Sequence, residues 1–326
     1  MQRDAPTNFS LPSRLGVSVA VCLVLVSGLF AAPAQASTAH RLRGDSCNHR
    51  APRVAHPRGA PVRVGTFNIR ANRSPATFSA GVHALMPYVD IAGLQEINSK
   101  DKARRLAAIK RAGGWSFWRQ YRRHVMRHPR RGGTEQNPVI WRSRFVCTYA
   151  GPMLASGLIS LRGEPDAREG YKSHWFTVIH LVDRVSGQRL SIVNVHMLHG
   201  AVRAGRPYPG RPKHWRTYRI QMTNLIQKVQ QQQGYGRVFI VGDFNAGWVA
   251  DRKHRHRHLP FRSFRGIGYH SMWATERPRG RGTHRDALID QVFSRAKAGS
   301  AKVLFQLGKY SDHRPAVARY HLGARR

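Results

Sequence analysis

From residue 62 onward, apolar and polar side chains alternate in short runs, which is the period of half-buried strands. Residues 62–69 (Val-Arg-Val-Gly-Thr-Phe-Asn-Ile) predict the first strand, and residues 89–94 a second. Between them, residues 78–88 place Val82, Leu85 and Met86 at helical spacing. Further strands are predicted at 139–149, 173–181, 190–196, 238–241, 287–293 and 316–320. One strong helix interrupts them: Tyr218, Met222, Leu225, Ile226 and Val229 form an apolar stripe suited to a sheet. Residues 198–213 and 248–281, rich in Gly, Pro, Arg and His, read as loops over the working face. No self-similarity at repeat length is present, so a solenoid is excluded.

The segment before this alternation has a different composition. Arg3 and Arg14 precede an apolar stretch over 15–32, followed by Pro33 and Ala34-Gln35-Ala36. That order predicts a signal peptide over 1–36, with an uncleaved anchor as the alternative. The stretch is about 18 residues long and carries Ser18, Ser27 and Gly28, which favours cleavage. A secreted protein without stable membrane insertion is therefore expected. Residues 37–61, rich in Arg, His, Pro and Ala, read as a flexible basic arm, and 62–322 as the domain. At 326 residues and 41% hydrophobic, the chain can bury one large core, and a monomer is expected.

Charge alters the picture of partners. The chain has 55 Lys plus Arg against 16 Asp plus Glu, a net charge of +39. Runs such as Arg252-Lys253-His254-Arg255-His256-Arg257-His258 suit polyanions, nucleic acid above all, through counterion release. An arginine-rich composition on a solvated surface is the alternative. Outside the leader, the cysteines are Cys47 and Cys147. Export permits a disulfide between them, worth about 4 kcal/mol in the chain-entropy account, with two buried thiols as the alternative.

The scarce carboxylates fall where strands end. Glu96 follows Leu94-Gln95 and would be costly to desolvate without a cation, which makes it the best candidate metal ligand. Asp243 and Asn245 flank Phe244, so both polar groups face one way, suited to a water and a phosphate oxygen. Asn194 and His196 alternate in the same manner, and Asp312 and His313 sit side by side before the last strand. Asp290 is the candidate partner that aligns His313, with Asp286, in loop-like surroundings, as its competitor.

Thr66-Phe67-Asn68, Gln95-Glu96, Asn194-Val195-His196, Gly242-Asp243-Phe244-Asn245, Ile289-Asp290-Gln291-Val292-Phe293 and Ser311-Asp312-His313 occur in this order. The set resembles the endonuclease/exonuclease/phosphatase superfamily, deoxyribonuclease I-like, over about 62–320. The resemblance implies an α/β fold: a four-layered sandwich of two mixed β-sheets face to face, with helices outside. It implies a phosphodiesterase using Mg²⁺, or Mn²⁺ or Ca²⁺, with Asn68, Glu96 and Asp312 at the metal. Asp243 and Asn245 would orient water or leaving group and phosphate, Asp290 would hold His313, and His196 would be the second imidazole. Asn137 and Asn194 are expected to touch substrate. Apurinic endonucleases carry tyrosine at the place of His196, so the chain looks closer to the deoxyribonuclease and sphingomyelinase branches. Export and charge favour DNA or RNA. A sphingomyelinase or phospholipase C-like enzyme should carry an exposed apolar hairpin, and none is visible in the sequence. A polyanion-binding protein with a dead site would not be expected to retain Glu96, Asp243, Asp290 and His313 together.

Overall fold

The computed structural model describes residues 47, 49–97, 102–111, 114–118, 137–156, 174–276 and 281–324. The expected signal peptide and residues 37–46 and 48 of the arm lie outside the described residues. No helix among the described residues is long and apolar enough to cross a membrane.

Strands β1 (Ala60–Asn68), β2 (Ile91–Gln95), β3 (Trp115–Trp118), β4 (Val139–Arg142), β13 (Ser300–Val303) and β14 (Ala316–Leu322) form one sheet, in the order β13-β14-β1-β2-β4-β3. Strands β5 (Phe145–Ser156), β6 (His174–Asp183), β7 (Arg189–His196), β10 (Arg237–Asp243), β11 (His270–Ser271) and β12 (Asp290–Ser294) form the other, in the order β11-β12-β10-β7-β6-β5. The hairpin β8 (Val202–Arg203) and β9 (Arg206–Pro207) stands apart. Both sheets are mixed: β1 runs parallel to β2 and β7 parallel to β10, while the remaining pairs are antiparallel.

Residues alternating inward along β1, β2 and β4, such as Val62, Val64, Ile91 and Trp141, pack against Ile192, Phe239, Val241 and Val292 of the facing sheet. Helices α1 (Pro75–Leu85) and α2 (Lys102–Arg111) cover the first sheet, burying Phe78, Val82, Leu85, Leu106 and Ile109. Helix α3 (Pro212–Gln232) and α5 (Pro260–Gly266) cover the second through Tyr218, Met222, Leu225 and Phe264. The result is the four-layered sandwich expected from the sequence.

A chain of buried polar groups crosses between the sheets. Thr66 Oγ1 donates to Gln95 Oε1 (3.1 Å), and Gln95 Nε2 donates to Asn194 Oδ1 (2.7 Å). Asn194 Nδ2 donates to the carbonyls of Leu94 (3.0 Å) and Pro138 (2.9 Å). Gly93 permits this approach, because a Cβ there would lie 2.4 Å from Asn194 Oδ1.

Several elements differ from expectation for identifiable reasons. The single strand expected at 139–149 is two, β4 and β5, which belong to different sheets and are separated by a turn at 143–144. Val139–Trp141 before the turn and Phe145–Cys147 after it are buried, so the apolar pattern runs through the turn unmarked. Helix α1 begins at Pro75 rather than 78, because Ser74 caps it by accepting from Thr77 N (3.1 Å) and Pro75 suits its first turn. Residues 248–281, expected as loop, contain α4 (Trp248–His254), α5 and β11. Each of these helices is seven residues long and buries two side chains, too few to print a period on an Arg-rich background.

A disulfide joins Cys47 to Cys147, 100 residues apart in sequence, and ties the segment before β1 to β5. Replacing both with serine is expected to lower stability by about 4 kcal/mol, read as a lower denaturant midpoint with a steeper slope, because the unfolded chain loses its 100-residue cross-link.

Stability should also depend on acid at one buried carboxylate. Asp183 is paired in bidentate fashion with Arg144, at 2.6 and 2.7 Å. Burial pushes this carboxyl up, but Arg144, Ser186 and the Val185 N–H together outweigh it and hold it below its ordinary value. Its contribution is therefore fully present above the unfolded value near ~3.9 and is lost as pH falls through the folded one. Arg144→Met should cost about 3 kcal/mol at neutral pH and shrink this acid limb of the stability profile, leaving the part due to Ser186 and the Val185 N–H.

Candidate active site

Strand register alone brings three of the expected residues abreast. Within the second sheet, Asp243 on β10 pairs with His196 on β7 and with Asp290 on β12. Each is the terminal residue of its strand, so all three side chains meet at one end of the sheet. His313 reaches the same place from the segment before β14, its Nδ1 2.9 Å from Asp290 Oδ2. Its Nε2 lies 3.8 Å from Asp243 Oδ2, and His196 Nε2 lies 3.6 Å from the same oxygen.

The first sheet contributes from across the sandwich. Asn68, the last residue of β1, donates from Nδ2 both to Glu96 Oε1 (3.0 Å) and to Asp243 Oδ2 (3.1 Å). Glu96 follows β2 directly, and its Oε2 accepts from Ala71 N (3.0 Å). Asn245 donates its own N–H to Asp243 Oδ1 (2.8 Å) and its Nδ2 to the Met197 carbonyl (2.9 Å). Glu96 and Asn245 have φ of +61° and +49°, a left-handed backbone that non-glycine residues keep where surrounding structure fixes it. Glu96, His196, Asp243, Asn245 and His313 line one cavity of about 310 Å³.

The electrostatics divide these groups into an acid and a base. Burial pulls the His313 imidazole down, but Asp290, then Asp243 and Asp312, outweigh it and hold it up at about 9. Burial pushes Asp243 up, yet His313 and His196, with the Asn245 and Asn68 N–H groups, bring it below its ordinary value. The cleft thus opposes an imidazolium to a carboxylate at neutral pH. Burial pushes Asp290 upward against the pull of His313, with Asp243 adding to the push.

Two of the expected substrate contacts are not in the cleft. Asn194 spends both amide hydrogens and its carbonyl on the bonds between the sheets, so its expected substrate role is corrected to a structural one. Asn137 is buried at the start of β4 with Nδ2 on the Trp175 carbonyl (3.2 Å), and it does not line the cavity. Asp312 sits at the rim, 37% exposed, with Arg70 at 3.3 Å.

The structure adds His284, which no expectation from the sequence included. Its ring stacks on His313, centroids 4.6 Å apart, and its Nε2 is 4.0 Å from Asp312 Oδ2. Thr283 beside it accepts from the N–H groups of Ile289 and Asp290, both at 3.1 Å, and so fixes the start of β12. Both residues lie in a stretch without periodicity, in a chain with 18 histidines, so no pattern marked them.

Two groups of donors bear on a metal ion. Asp243, Asp290 and His313 offer ligand atoms within 4.8 Å of one another and could hold one. His313 commits Nδ1 to Asp290, so only its Nε2 could serve a cation there, and binding would have to displace the proton that Asp290 and Asp243 favour on the ring. Glu96 and Asn68 offer oxygens only, and Asn68 Oδ1 is buried without a partner. A carboxylate next to an amide whose own oxygen is buried and unmatched is an oxygen-rich donor set that fits a hard cation of the Mg²⁺ type, with the amide turned so that Oδ1 rather than Nδ2 faces Glu96.

The model of the Endonuclease/Exonuclease/phosphatase family matches residues 65–313 of the chain. No curated protein matches the sequence significantly. Among solved structures, an endonuclease/exonuclease/phosphatase family protein from Bacteroides thetaiotaomicron is similar, with TM-score 0.59 and 12% identity over 82% of this chain and 97% of that one. D. rerio TDP2 complexed with single strand DNA product gives 0.55 at 14% identity, covering 81% and 99%. A mannosyl-6-phosphatase from Bacteroides thetaiotaomicron gives 0.55 at 15%, covering 80% and 99%.

Proposed function

The chain belongs to the endonuclease/exonuclease/phosphatase family, and within it we propose that the protein is a metal-dependent phosphodiester hydrolase, a nuclease acting on the backbone of DNA or RNA. The observation that carries this reading is the opposition of His313, braced by Asp290, to Asp243 in one cleft. Asp243, anionic and fixed by Asn68 and Asn245, holds and orients the attacking water. His313 presents Nε2–H toward a phosphoryl oxygen and steadies the charge that grows there, while Asp290 fixes its tautomer. His196 and Asn245 confine the phosphate from the opposite side of the cleft. A divalent cation held by Glu96 and Asn68, with Asp312 at the rim, would neutralise phosphoryl charge.

Substrate choice rests on charge and likeness. A chain at +39 attracts polyanions, and a protein of the same fold, TDP2, is known with single strand DNA product. The leader-like pattern over 1–36 supports an exported enzyme. A panel of plasmid DNA, RNA, sphingomyelin vesicles and a sugar phosphate, each with Mg²⁺ and with EDTA, tests the assignment. Metal-dependent loss of DNA or RNA is expected. Release of phosphate from the sugar alone, or of headgroup alone, would move the enzyme to a monoester or lipid substrate.

A further inference from the structure

A group of cations lies together on the face formed by α4 and α5, beside the β11 edge of the second sheet. Several described carboxylates are spent on arginines: Asp90 on Arg63 and Arg142, Asp183 on Arg144, Asp312 on Arg70. Along α4 and α5, Arg252, Lys253, Arg255, Arg262 and Arg265 are exposed and, among the described residues, form no ion pair. The one acid in that stretch, Asp251, is fully buried, accepts from Phe261 N (2.8 Å), and is pushed up by burial to about 7. It therefore does little to offset the surface charge above it.

These cations border three adjoining depressions of about 300, 360 and 460 Å³, none lined by a carboxylate. Trp248 and Arg252 are shared by two of them, Phe261 and Arg265 by another two. The guanidinium of Arg252 lies 5.2 Å over the Trp248 ring, and that of Arg265 5.9 Å over Phe261. A guanidinium seated on an aromatic face loses less rotamer freedom when it binds an anion, so this face is partly pre-organised. His256 and His258 lie below their ordinary values, first through burial and then through the charges of Arg257 and Arg219. The face adjoins the active site through the start of α4: Trp248, which lines it, follows Asn245 of the cleft by three residues, and its N–H donates to the Leu288 carbonyl, next to Ile289 of the cleft lining.

We propose that the α4–α5 face is an exosite for the phosphate backbone of a nucleic acid strand whose scissile phosphate lies in the catalytic cleft. The proposal rests on the nuclease reading for the identity of the strand, but it is tested by binding and not by cleavage. The full chain carrying His313→Ala would be titrated against a fluorescent single-stranded 30-mer across a salt series. Adding Arg252→Ser and Arg265→Ser should weaken binding about tenfold at low salt. The salt slope should fall by ~1.4, because each phosphate that a cation neutralises on a single strand contributes ~0.7. A control with Arg184→Ser and Arg319→Ser, exposed cations elsewhere, removes the same charge and should change affinity less than twofold. Melting curves check folding, and Arg255→Ser with Arg262→Ser is the second pair should the first fail to fold. Equal losses in exosite and control variants, no loss in either, or no binding by the parent would overturn the proposal. Failure to cleave DNA would count against the nuclease reading alone.

Discussion

His313→Ala is expected to lower the turnover of phosphodiester cleavage by about 10³-fold while leaving the fold intact. The imidazole is 7% exposed, bonded through Nδ1 to Asp290, and its Nε2 is the atom turned toward Asp243 and the cleft. Its removal takes away the cationic donor and leaves Asp290, fully buried, without its counter-charge. The companion variant Asp290→Asn separates the two roles. It keeps the ring but removes the carboxylate that, after burial has pulled the imidazole down, does most to raise it. Proton NMR of the metal-free protein should show His313 titrating near 9 in the parent and well below that in Asp290→Asn. Substantial turnover in His313→Ala, or an unmoved His313 titration in Asp290→Asn, would remove this pair from the mechanism.

Glu96→Gln should be about as damaging, ~10³-fold, by a different route: it keeps the size and deletes the charge that attracts a cation. Since Glu96 accepts from Asn68 Nδ2 and from Ala71 N, the amide can keep one of those bonds, and the melting temperature should move little. Mn²⁺ affinity, followed by paramagnetic broadening, should fall at least tenfold in Glu96→Gln. If affinity survives Glu96→Gln but is lost in Asp243→Asn, the ion belongs to the Asp243, Asp290 and His313 group instead.

How far the sequence foretells this site depends on where each residue lies relative to a strand. Asp243, His196 and Asp290 terminate buried strands whose apolar runs are clear, so the strand ends alone bring them together. Glu96 is legible because a carboxylate after a buried run is costly. Asn194 misleads for the same reason: a polar group facing inward reads alike whether it meets substrate or a neighbouring sheet. Only the bonds to Leu94, Pro138 and Gln95 distinguish the two cases. His284 and Thr283 lie in irregular backbone held by tertiary contacts such as Arg314 N to the Thr283 carbonyl, which leave no local period. The split of 139–149 into β4 and β5 is invisible in the sequence because alternation reports burial and not sheet membership.

Hydrolysis of a nucleic acid backbone at this cleft can be read by incubating the purified chain with supercoiled plasmid and Mg²⁺, beside the same mixture in EDTA and beside His313→Ala. Nicking or degradation that requires Mg²⁺ and disappears in His313→Ala is the predicted result. Cleavage that persists in EDTA or in His313→Ala, or a plasmid and a matched RNA that both remain intact with Mg²⁺, would contradict it.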